Sequence, residues 1–377
     1  MFNIPITKPD LGEEEKRLVS QVIESGWVSQ GPKVAEFEEI FARYVGARHA
    51  VATTSCSTAL HAALSVSCIG PGDEVIVPSL SFIATANSVL YCGATPVFID
   101  VDQETCNIDV QKIEEAVTGK TKAIMPVHQM GLPVDLDPIK AIAEKKKLLI
   151  IEDAACAIGS EYHNTKIGGH GNIACFSFHP RKIITTGEGG MITTDDRTIA
   201  ERLRRFRHHG MSVSDIERHM ANTVIIETYP ELGYNYRMTD IQAAMGIEQM
   251  KKLPFILDTR KKLACIYDNE LSKILHIRIP QVPSYARHNY QSYWIELLDS
   301  APVDRNALMA KLLEKGIATR RGIMAIHREL YYRAYTGVHL PNTDKLTDNT
   351  LLLPLYPALS AEEQTFIINS IKEIFLQ

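Results

Sequence analysis

Between about residues 50 and 195, short apolar runs alternate with segments of helical periodicity, and this alternation constrains the fold more than any other feature. Runs at 50–52, 74–77, 96–99, 123–127, 148–151, 173–178 and 190–193 read as strands. Stretches at about 57–66, 82–92, 110–117 and 138–146 read as helices. Strands that are continuously apolar need cover on both faces, which a mostly parallel sheet between helices provides. The expected class is α/β. In such sheets ligands bind at the carboxyl ends of the strands, so the loops after them hold the candidate site.

Two helices precede this unit. Asp10 and Glu13 have capping-box spacing, Leu18, Val19, Val22 and Ile23 form an apolar stripe, and Gly26 stops the first helix. A second is expected over 33–44. Beyond Thr239 the pattern changes to a long helical stretch at 239–274, a strand-like run at 290–298 and helices at 305–314 and 361–375. This predicts a large domain at 1–250 and a smaller α+β domain at 251–377.

Composition narrows the partners. With 377 residues, 45% hydrophobic and 23% charged, and a net charge of −5, the chain reads as globular and carries no basic face for nucleic acid. The arginines at 202, 204, 205 and 207 read as a solvated helix face or a local anion contact. Seven cysteines with no Cys-x-x-Cys argue for small apolar side chains in a reducing compartment, with neither disulfides nor a metal site. No apolar stretch approaches a membrane span, and the N-terminus lacks signal-peptide character. The expectation is a cytoplasmic protein.

Four strand-end loops carry pointed chemistry. Thr54-Ser55-Cys56-Ser57-Thr58 opens a helix directly after a strand, where free N–H groups and the hydroxyls of Ser57 and Thr58 either hold a phosphate or simply cap the helix. Phe82 follows another strand, as a stacking ring for a flat ligand or as core. Asp153 ends an all-apolar strand, where a carboxylate wants a cationic partner or caps the next segment. Lys182 lies twenty-nine positions later in Ser177-Phe178-His179-Pro180-Arg181-Lys182, before a Gly-rich turn at 187–190. A lysine confined there is expected to titrate below its usual value and act as a nucleophile, most often in a Schiff base; the alternative is an exposed turn. Ser177 can add a hydroxyl to the phosphate. Together these amount to a phosphate cradle, a stacking ring, an acid for a ring nitrogen and a Schiff-base lysine, the set that pyridoxal phosphate needs.

The chain resembles the DegT/DnrJ/EryC1/StrS nucleotide-sugar aminotransferases, pyridoxal-phosphate enzymes of fold type I. The likeness rests on Gly26-Trp27-Val28-Ser29-Gln30-Gly31-Pro32, Pro126-Val127-His128-Gln129-Met130-Gly131, Glu152-Asp153-Ala154-Ala155, Ser177 through Gly190, Gly233 through Asp240, Gly316-Ile317-Ala318-Thr319-Arg320, His327 and Leu353-Pro354-Leu355. It implies a seven-stranded mostly parallel sheet, pyridoxal 5′-phosphate as an internal aldimine on Lys182, and Asp153 on the pyridine nitrogen. It further implies Phe82 stacked on the ring, Cys56, Ser57 and Ser177 on the phosphate, and Asn235 reaching the phosphate of a neighbouring subunit in a homodimer. Cys156 stands where the family usually has a Gln that contacts the cofactor ring oxygen. Trp27, Ser29 and His327 would face substrate by the same likeness. Arg237, Arg320 and Arg321 are anion contacts by charge and loop position, or salt bridges. The implied reaction moves an amino group from L-glutamate to a keto-sugar nucleotide, a 4-keto-6-deoxy hexose, for surface polysaccharide or secondary metabolites. Dehydration or aromatisation of a keto-cyclitol or aminoshikimate-type substrate, and a regulatory protein without turnover, are the alternatives.

Overall fold

The computed structural model describes residues 3–214, 217–218, 221–335 and 337–376. Helix α1 (Glu13–Ser25) is capped by Gly12 rather than Asp10, because the Glu15 carboxylate reaches back to the Gly12 N–H at 2.8 Å. The Asp10 carbonyl instead accepts from Gln249, so the chain is still docking there and not yet turning. After α2 (Pro32–Val45) come β1 (His49–Thr53), α3 (Cys56–Val66), β2 (Glu74–Pro78), α4 (Ala84–Tyr91), β3 (Thr95–Ile99), α5 (Val110–Ala116), β4 (Thr121–Ile124) and α6 (Leu136–Lys146). Then follow β5 (Leu149–Asp153), β6 (Glu161–Tyr162), β7 (Thr165–Lys166), β8 (Ile173–Ser177), β9 (Gly190–Thr194) and α7 (Arg197–Phe206).

Seven of these strands form one sheet in the order β1-β9-β8-β5-β4-β2-β3. All neighbours are parallel except β9, which runs antiparallel to both β1 and β8. Alternation along each strand feeds two cores. On β2, for example, Ile76 packs with Phe37, Phe41 and Ile247 on one face, while Val75 and Val77 pack with Leu60 and Leu64 on the other.

A 32-residue helix, Asp240–Leu271, then leaves this sheet. Its first half, through Ile256, packs into the large sheet's core, and from Leu263 onward it packs into a separate one. That second core lies on a four-stranded sheet of β10 (Ile277–Arg278), β12 (Tyr293–Leu297), β13 (Arg320–Arg321) and β14 (Thr350–Leu353), with helices Arg305–Glu314 and Ala361–Leu376. Ile4 belongs to it too, bridging to Ile317. The remaining strand, β11 (Ala286–Arg287), pairs back onto β6. Helix α7 carries the basic cluster, and its arginines are committed internally: Arg202 and Arg205 pair with Glu231, while Arg207 bonds the buried Glu38. Among the described residues no helix is long and apolar enough to cross a membrane.

Asp240 fixes how the long helix meets α2. Its buried carboxylate accepts the N–H groups of Gly31, Lys33 and Val34 at 2.8, 3.0 and 3.0 Å, which is the open N-terminus of α2. Asp240→Ala strands these donors in the interior and is expected to cost about 2–4 kcal/mol, read from the urea midpoint.

Candidate active site

Four chain segments meet at the carboxyl ends of β5 and β8. Strand alternation points Glu152 and Asp153 to opposite faces. Glu152, fully buried, accepts from His128 Nε2 at 2.9 Å and from Asn172 at 2.7 Å. Burial opposes its ionisation, but these two partners outweigh that and hold it below the ordinary carboxylate range. The Val134 N–H donates to His128 Nδ1, so the ring proton lies on Nε2 and is donated to Glu152. This ties the loop after β4 to β5.

Asp153 faces the other way, into a cavity of about 390 Å3 that it lines with Phe82, Cys156, Arg181, Lys182, Arg320 and Arg321 among others. Its carboxylate is buried, and its direct partners are neutral: Thr85 Oγ1 at 2.7 Å and the Ala155 N–H at 3.2 Å. No salt bridge reaches it among the described residues, and burial therefore pushes its titration up, against the pull of Thr85. Thr85 is a site residue the sequence reading passed over. Its hydroxyl also meets Ser81 Oγ at 2.7 Å, and a hydroxyl in the first turn of a strand-end helix is the available signal.

Lys182 Nζ lies 3.0 Å from Cys156 Sγ. The expectation of a lowered lysine pKa is overturned here. Burial acts in that direction, but Cys156, through charge and hydrogen bond, with Cys56 and Asp153, holds it above the usual value. Arg181 precedes it in the same wall, and its carbonyl accepts from Gln291 at 2.9 Å. Arg181 was also not singled out from sequence, although its position beside the lysine was the clue.

The start of α3 lies against this group. Ser55 caps α3, and the Thr58 hydroxyl is consumed by Ser55, so Thr58 is not the free donor expected. Cys56 and Ser57 open the helix, so their N–H groups have no acceptor within it. The Cys56 thiol turns inward to the Cys175 carbonyl, and burial drives its titration well up. Ser177 ends β8, buried, with its hydroxyl near the His179 N–H. Gly190 makes this approach feasible, since a Cβ there would lie 2.4 Å from the Ser55 carbonyl oxygen.

The cavity thus brings together Asp153, Lys182, Phe82, Cys156, Arg320 and Arg321. Phe82 is 64% exposed, a ring presented to the cavity and not to the core. The other candidates lie elsewhere. Trp27 stacks over Gly31 and bonds the Gln30 carbonyl, Ser29 is exposed, and Arg237 meets His208 Nδ1 at 2.9 Å. Asn235 is exposed beside His208. His327 is buried, bonded to Ser79 Oγ at 2.7 Å and 3.3 Å from Asp344. The residues present fit pyridoxal phosphate: a buried carboxylate without a salt bridge, a lysine amine and an exposed ring in the same cavity, and an open helix N-terminus at the start of α3 for the phosphate.

The DegT/DnrJ/EryC1/StrS aminotransferase family model matches residues 9–372, and the chain belongs to that family. It is 39% identical over 376 residues to the spore coat polysaccharide biosynthesis protein SpsC of Bacillus subtilis, covering 98% of this chain and 97% of that one. The PLP form of the putative sugar aminotransferase Spr1654 from Streptococcus pneumoniae superposes with a TM-score of 0.92 at 28% identity, covering 100% and 99% of the two chains. DesV of S. venezuelae does so with a TM-score of 0.92 at 29% identity, over 100% of both. The protein is an aminotransferase of the fold-type I class.

Asp153→Asn tests the unpaired carboxylate. Because the folded-state titration is raised, stability falls as pH rises through it and is undiminished below the ordinary carboxylate value of about 3.9. Without cofactor, the Asn variant is expected to melt above the parent near neutral pH and level with it in acid, by calorimetry.

Proposed function

We propose that this member of the family transfers the amino group of L-glutamate to a keto-sugar nucleotide, a 4-keto-6-deoxy hexose, with Lys182 as the bonded and catalytic amine. The observation that carries this is the meeting of Lys182 and Asp153 at the ends of neighbouring strands in one cavity. When bound, pyridoxal 5′-phosphate supplies an electron sink for the pair left when an α-proton departs. Lys182 Nζ takes that proton from the donor carbon and returns one to the acceptor, as base and then acid. Asp153, lacking any other cation, keeps a proton on the ring nitrogen. Phe82 would pack against the ring, and the N–H groups of Cys56 and Ser57, with Ser177, would hold the phosphate.

The cavity wall supports the acceptor class. Arg320 and Arg321 line it from β13, and Arg181 from the Lys182 loop, which suits a diphosphate. Ile6, Ile323, Met324, Leu352 and Leu355 line it as apolar surface, which suits a 6-deoxy carbon. The name of SpsC is in keeping with a role in surface polysaccharide synthesis. A homodimer with shared sites is part of the proposal. Val224, Ile226 and Leu232 are 92%, 83% and 77% exposed on the segment leading to Asn235, an apolar surface suited to a second copy from which Asn235 would reach the partner's phosphate. Trp27, Ser29, Arg237 and His327 are assigned to substrate on the family likeness.

The cofactor-loaded protein should change its absorbance on adding L-glutamate and recover it on adding a keto-sugar nucleotide from a panel. Lys182→Ala is expected to abolish both changes and lower turnover by at least about 10²–10⁴-fold. Retained turnover would refute the assignment.

A further inference from the structure

Cys156 occupies a position that the reaction does not require to be a thiol. It follows β5 by three residues, lines the cavity and is half-buried. Its placement is built: its carbonyl accepts from Asn289 Nδ2 at 2.7 Å, and Asn289 also bonds the Ile158 carbonyl at 2.9 Å. Gly131 leaves room for this amide, since a Cβ there would sit 1.8 Å from Asn289 Oδ1. From this anchored turn the thiol reaches the Lys182 amine, which makes its one side-chain hydrogen bond there among the described residues.

We propose that Cys156 is the resting partner of Lys182: whenever the amine carries no covalent bond, the thiol holds it in the cavity as an ammonium and so governs how readily a carbonyl can capture it. Capture needs the neutral amine. The ammonium first gives its proton to solvent, the nitrogen then adds to the aldehyde carbon, and the C=N bond forms with loss of one water. A sulfur 3.0 Å away that accepts from the ammonium opposes the first of these steps. The groups facing Lys182 are few. Cys56 comes from α3, Asp153 and Cys156 from β5 and its turn, and His179 and Arg181 from its own loop, while Arg320 and Arg321 line the cavity from β13. Burial favours the neutral amine; Cys156, Cys56 and Asp153 favour the ammonium, and they prevail.

The inference rests on Lys182 being the residue that bonds the cofactor, and the experiment separates the two claims. Cofactor-free protein is mixed with pyridoxal 5′-phosphate over a range of pH, and the capture rate is followed by absorbance. Borohydride reduction and peptide mass mapping then identify the lysine that was bonded. In Cys156→Ala the pH midpoint of capture is expected to fall, and capture near neutral pH to accelerate by on the order of tenfold. Cys156→Ser keeps an acceptor at the same place, so its pH midpoint should stay closer to the parent's than that of the Ala variant does. Cys56→Ala, which acts on Lys182 only through space, should move the midpoint less. A midpoint unchanged in the Ala variant, or a Ser variant titrating like the Ala variant, would overturn the role of Cys156. Label on a lysine other than Lys182 would instead overturn the functional assignment.

Discussion

Asp153 can ionise at the buried end of β5 only against burial, and its neighbours ease this with a hydroxyl and one N–H and not with a cation. Much of the surrounding structure follows from keeping that carboxylate in place. The same strand's preceding residue, Glu152, is satisfied twice over on the opposite face, which locks the strand end against rotation. Thr85 and Ser81 brace Asp153 from the start of α4. A group so costly to the empty fold is the expected signature of a ligand that brings the opposite charge.

The large sheet was legible in the amino-acid sequence because strands buried on both faces have no choice but to be apolar throughout, and each of the seven expected runs is a strand of it. Helix starts were less legible. Asp10 has the spacing of a first cap, whereas Gly12 takes it because Glu15 can reach its N–H and Asp10 is engaged by Gln249. The two-residue strands β6, β7, β10, β11 and β13 carry no periodicity to read, since a period of two needs more than one repeat.

The site was legible where chemistry and position coincide. A carboxylate closing an apolar strand and a lysine in a Gly-rich loop stand out against their surroundings, and they do share a cavity. The protonation of Lys182 was not legible. It depends on Cys156, close in space but twenty-six positions away, and burial alone pointed the other way. Thr85 and Arg181 are faint for a related reason: each carries only a weak local signal and is set apart mainly by the cavity group it meets or lies beside.

The links between the smaller sheet and the Lys182 loop have a mechanical consequence. Arg260, buried in the long helix, donates to the Tyr290 and Gln291 carbonyls, and Gln291 in turn donates to the Arg181 carbonyl. Burial lowers the Arg260 guanidinium to about 10, so these carbonyls are what compensate it inside the fold. Gln291 and Ser292 also line the cavity just before β12 begins. The smaller sheet is therefore not a lid that swings free of the chemistry. Any rocking of it would pull on the backbone one residue from Lys182, so that movement of the smaller sheet and realignment of the Lys182 amine would be one movement.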